Sequence, residues 1–110
     1  MESKLIELTD ENFEEEVVNS SVPVMVDFYA DWCQPCKVMA PMLETLCGEM
    51  EGNIKIGKVN IENTSISSKY SISSIPTLLK FKDGEVVDRK VGLQNKKAIE
   101  AFASGGSDNE

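Results

Sequence analysis

Hydrophobic and polar positions change period several times along this chain, and each change marks an element. Lys4–Leu8 (KLIEL) is short and apolar enough for a first strand. In TDENFEEEVVNSS, Phe13 and Val17 stand four apart behind an acidic first turn, the pattern of an amphipathic helix capped by Thr9 or Asp10. Val22–Ala30 (VPVMVDFYA) is almost continuously apolar, β-branched and aromatic, and too short for a typical helix, so it predicts a buried central strand. From Cys33 to about Met50 the period returns to helical, with Val38, Met39, Met42, Leu43 and Leu46 apolar and Pro41 expected to kink the helix. Asn53–Ile61 reads as a second buried strand, and ENTSISSKYS as a short helix capped near Asn63. Thr77–Val91 contains two strands joined at Asp83-Gly84, a strong hairpin signal. Asn95–Ala103 is the last helix, with Ala98, Ile99 and Phe102 on one face.

The resulting order is β-α-β-α-β-α-β-β-α, an α/β protein. Alternating strands and helices require parallel pairing, and the terminal hairpin adds an antiparallel edge. A central mixed β-sheet flanked by helices on both faces is expected. With 110 residues the chain suits one domain, taken as 1–104, followed by a flexible tail at 105–110.

Charge narrows the choice of partners. A net charge of −8 disfavours nucleic acid and anionic membrane, both of which repel an acidic surface. No apolar stretch has the length of a membrane span, and the N-terminus has no basic segment leading into an apolar one. A cytoplasmic location is expected, and nothing points beyond a monomer. A reducing cytoplasm disfavours permanent disulfides, and three cysteines cannot form a fully paired framework.

The chemistry concentrates in DWCQPCK, Asp31–Lys37. A CxxC can be a structural disulfide, half of a zinc site or a redox pair. Zinc is poorly served, since Cys47 is the only other thiol and the chain has no histidine. Cys33 falls where strand and loop run into a helix, and the unpaired N–H groups there favour an anion, which lowers a thiol pKa from about 8.5. Cys36 lies one turn inward, able to reach the Cys33 sulfur while more buried. Cys33 is therefore the expected nucleophile and Cys36 the resolving thiol. Pro35 costs little in a first turn and stiffens the loop. Cys47, about 16 Å further along the helix, is out of reach of the pair and reads as a small buried hydrophobe. Asp27, a carboxylate within an apolar strand, should have a raised pKa.

VDFYADWCQPCKVMAP, SIPTLLKFKDGE and KVGL, in this order and spacing, resemble the thioredoxin family over roughly residues 4–104. The resemblance implies the thioredoxin fold and reduction of protein disulfides through a Cys33 mixed disulfide resolved by Cys36. Cys33 and Cys36 would then form the redox-active disulfide. It implies a cis Pro76 facing the cysteines, with the Ile75 backbone pairing to substrate. Trp32, Gln34, Pro35, Ile75, Val91 and Gly92 would border the substrate, Gly92 leaving room for a close approach. Asp27 would relay a proton to or from Cys36, with Lys58 as its neighbour. No bound cofactor or metal is implied. The implied partners are disulfide-containing proteins and a thioredoxin reductase, commonly a flavoprotein using NADPH.

The chain departs from the family pattern at three places. Gln34-Pro35 stands where Gly-Pro is usual, Tyr29 replaces a frequent tryptophan, and Ser73-Ser74 makes the loop before Ile75-Pro76 more polar. Two other functions compete: a disulfide oxidase or isomerase, whose relatives usually carry histidine in the dipeptide, and a non-enzymatic binding module.

Overall fold

The most apolar run of the chain builds the middle of the sheet. In the computed structural model, which describes residues 5–105, β2 (Val24–Tyr29) lies between β3 (Lys55–Asn60), parallel to it, and β4 (Thr77–Lys82), antiparallel to it. β1 (Ile6–Glu7) adds to β3 in parallel, and β5 (Glu85–Val91) closes the other edge, giving the order β1-β3-β2-β4-β5. The sheet is mixed, as expected from the pattern.

Helices cover both faces. α1 (Gln34–Glu49) and α3 (Lys96–Ala103) bury Met39, Leu43, Leu46, Ile99 and Phe102 against Met25, Ile56 and Leu78. On the other face Phe13, Val17 and Ile66 of α2 (Ile66–Lys69) pack on Val26, Phe28, Val59 and Phe81. Phe13, Tyr70 and Phe81 meet there as a cluster of tilted and edge-on rings. This alternation follows from the strand period of two: residues 24, 26 and 28 face one way, 25 and 27 the other.

Several local details differ from the pattern-based expectation. The first helix is a π-helical turn, Glu14–Val18, in which Asn19 N–H donates to Glu14 O at 2.9 Å. Its entry is the expected Thr9 cap, made reciprocal by Asn12: Thr9 N–H donates to Asn12 Oδ1 and Asn12 N–H to Thr9 Oγ1. β1 includes neither Leu5 nor Leu8, although Leu8 still donates to Lys58 O, and Lys4 lies outside the described residues. α2 is capped at Ser65 and not near Asn63, because Asp10 reaches over from the first loop to accept from the Ser65 N–H and hydroxyl. α1 runs through Pro41 to Glu49, and Val38 is largely exposed. The Asp83-Gly84 turn has φ of 54° and 83°, the positive pair that a two-residue hairpin of this twist needs. The expected tail at 105–110 lies, beyond Gly105, outside the described residues.

Candidate functional site

The end of β2 delivers the chain to the site. Tyr29, the last residue of the strand, is followed by Ala30, whose carbonyl accepts from Cys33 N–H at 3.2 Å and turns the backbone into α1. Cys33 takes the N-cap position with extended φ and ψ, and Pro35 occupies the first turn, where its missing N–H leaves no bond unmade. Cys33 Sγ accepts from Cys36 N–H at 3.2 Å, so a sulfur does what a serine or aspartate oxygen does at an ordinary cap. Cys33 and Cys36 are disulfide-bonded, with Cα atoms 5.2 Å apart.

Both cysteines are buried, at 5% and 4% exposure, so Cys36 is scarcely the more buried of the two in the disulfide form. They pack with Ala30 against Tyr29, Ile61 and Ile75. Ile75 precedes Pro76 through a cis peptide bond. Pro76 O accepts from Gly92 N–H at 2.8 Å, tying the β4 entrance to the end of β5. Gly92 has φ of 95° and no atom within 4 Å of where a Cβ would stand. Trp32 and Val91 are exposed, at 63% and 54%, and Gln34, Pro35, Ser73 and Ser74 are exposed as well.

Beside Cys36 lies a cavity of about 180 Å³, lined by Asp27, Tyr29, Cys36, Lys37, Glu44 and Lys58 among others. Asp27 and Cys36, separate in sequence, thus share one space. Burial pushes the Asp27 carboxyl up to about 7, and the Lys58 charge pulls only partly against it. Asp27 Oδ1 is buried without a hydrogen-bond partner among the described residues. Lys58 is its register partner across β2 and β3.

Three participants escaped the sequence reading. Glu62 accepts from Trp32 Nε1 at 2.7 Å, and Glu7 forms an ion pair with Lys58 at 3.6 Å. Tyr29, noted only as a departure, donates its hydroxyl to Glu7 Oε2 at 3.0 Å. No periodicity marks such residues, since each is a polar group on an exposed rim brought in by strand register or a loop. Cys47 is buried in the core between α1 and the sheet, as its helical position required. Among the described residues no helix is long and apolar enough to cross a membrane.

Comparison with known proteins agrees with this geometry. The family model described as Thioredoxin matches residues 4–105. The chain is 50% identical over 93 residues to the thioredoxin of Rickettsia bellii, a match spanning 84% of this chain and 89% of that one. It is 50% identical over 101 residues to the thioredoxin of Buchnera aphidicola subsp. Acyrthosiphon pisum, spanning 91% and 94%. Thioredoxin C-2 of Corynebacterium nephridii is 47% identical over 105 residues, spanning 93% and 95%. With a bonded CxxC at a helix start and this breadth of similarity, the chain belongs to the thioredoxin family of thiol–disulfide oxidoreductases.

Proposed function

We propose that the chain reduces disulfides in other proteins, with Cys33 as nucleophile, Cys36 as resolving thiol and Asp27 as proton relay. The reduced Cys33 thiolate attacks a substrate disulfide, forming a Cys33 mixed disulfide and releasing one substrate sulfur, which takes a proton. Cys36 then gives its proton to Asp27 and attacks Cys33 Sγ, expelling the second substrate sulfur, which takes the proton that Asp27 received. The substrate gains two electrons and two protons, and the Cys33–Cys36 disulfide is left. A thioredoxin reductase, flavin- and NADPH-dependent, returns the electrons in the cytoplasm. The protein acts as a monomer on an acidic scaffold that neither nucleic acid nor membrane attracts. Trp32, Gln34, Pro35, Ile75, Val91 and Gly92 line the substrate path, with Ile75 backbone pairing beside the cis Pro76.

The observation carrying this reading is the Cys36 N–H aimed at Cys33 Sγ at a helix N-terminus, where a leaving or attacking thiolate is stabilised. The equilibrium potential of the Cys33–Cys36 pair, followed by fluorescence of the sole Trp32 against a thiol–disulfide buffer, tests the direction. Thioredoxin itself is a reference couple at about −270 mV, against about −180 mV for protein disulfide isomerase. A value near the first supports a reductant. A value near or above the second assigns the pair to disulfide formation or isomerisation. Retention of all biological activity by Cys33→Ser/Cys36→Ser would instead indicate a binding module.

A further inference from the structure

Three strands bring three charged side chains into one row. In the parallel register Glu7 of β1 and Asp27 of β2 both pair with Lys58 of β3, from opposite sides. The ammonium therefore has two carboxylates within its sweep. It goes to the outer one: Lys58 Nζ lies 3.6 Å from Glu7 Oε1, while Asp27 Oδ1 stays buried without a hydrogen-bond partner among the described residues. Glu7 is itself held. The Tyr29 hydroxyl donates to Oε2 at 3.0 Å and stands 3.4 Å from Oε1. Lys58 Nζ sits 5.5 Å from the centroid of the same Tyr29 ring, at cation–π distance.

Solvation explains the choice. The Glu7 side chain is 51% exposed and that of Lys58 34%, so this pair forms with both side chains still partly in water. Pairing with Asp27 requires a second charge to enter the interior, where the desolvation cost opposes the attraction.

We propose that Glu7, braced by Tyr29, is a positioning residue that holds the Lys58 ammonium at the mouth of the cavity and so sets how strongly it pairs with Asp27. The consequence for turnover rests on the relay proposed above, but the positioning does not. Among the described residues, the other titratable groups lining the cavity that Asp27 lines are Tyr29 and Asp31 from its own strand and the following loop, and Cys36, Lys37 and Glu44 from α1. β4 presents the apolar Leu78 opposite Asp27.

The test is a ¹³C NMR titration of the Asp27 side-chain carboxyl in the full-length reduced protein, with Glu7→Gln made in the native and Lys58→Met backgrounds. The amide still accepts from Tyr29 but no longer holds the ammonium, and a freed Lys58 favours the Asp27 carboxylate. The midpoint should fall by about half a pH unit in the native background and by much less without Lys58. An equal fall in both backgrounds would mean that Glu7 acts on Asp27 through its own charge, overturning the proposal, as would no fall in either. Should Lys58→Met not fold, Tyr29→Phe gives the answer with no change of charge: the midpoint moves the same way if the hydroxyl braces Glu7, and an unmoved midpoint rejects the brace. The pH–rate profile for reduction of a protein disulfide separates the two levels. If it follows the titration, relay and positioning both hold; if the titration moves and the rate profile does not, the relay fails and the positioning stands.

Discussion

Asp27 and Lys58 are register partners in the middle of the sheet, yet burial outweighs the Lys58 charge and pushes the carboxyl up to about 7, while the ammonium pairs with Glu7 at 3.6 Å. The pH dependence of stability follows. The folded-state value of about 7 lies above the ordinary 3.8, so between these limits the folded protein keeps a proton that the unfolded chain has released. Stability associated with Asp27 is complete below about pH 4 and is lost as pH rises through about 7. Asp27→Asn should remove that loss, its gain over the native protein growing from pH 4 to 8 toward a ceiling on the order of 4 kcal/mol. Urea unfolding at the two pH values measures it, and an equal difference at both contradicts the raised value.

Cys36→Ser should leave attack by Cys33 intact and block resolution. Substrate proteins then accumulate as mixed disulfides with Cys33, visible by non-reducing electrophoresis and mass spectrometry. Cys33→Ser should trap nothing and lower turnover by about 10³-fold or more. Trapping by the Cys33 variant would reverse the assigned roles.

Gly57 sits where β3 passes under Leu8. A Cβ there would stand 2.6 Å from Leu8 Cδ1 and 3.3 Å from Ile6 O, and Leu8 is buried at 1% exposure. Gly57→Ala should therefore cost about 1–3 kcal/mol by prising β1 from the sheet. A denaturation midpoint equal to that of the native protein would show that Leu8 has room to shift.

Trp32 is 63% exposed, and its indole N–H donates to Glu62 at 2.7 Å. Glu62→Ala should lower the fluorescence anisotropy of Trp32 while changing stability by less than about 0.5 kcal/mol, because both groups lie at the surface. Unchanged anisotropy would mean that packing, not this bond, holds the ring.

The linear pattern determined a great deal here. Val24–Tyr29 is legible as a buried strand because both faces of a central strand are covered, leaving a nearly continuous apolar run, and Lys55–Asn60 because its apolar residues alternate with lysine and asparagine. Asp83-Gly84 is legible because few other dipeptides accept two positive φ values. Cys33 and Cys36 announce themselves by their spacing at a strand-to-helix junction, and Asp27 by being charged within an apolar run. Tertiary structure decided what depends on residues distant in sequence. Asp10 supplies bonds at the start of α2 from another loop, and Pro76 meets Gly92 across two strands. Glu7 captures Lys58 only because parallel register aligns them, and Tyr29 bonds Glu7 across the sheet. A charged residue on an exposed rim looks the same in sequence whether or not it has a partner. Only the fold, by fixing distances of a few ångströms between such groups, decides which of them act on Asp27.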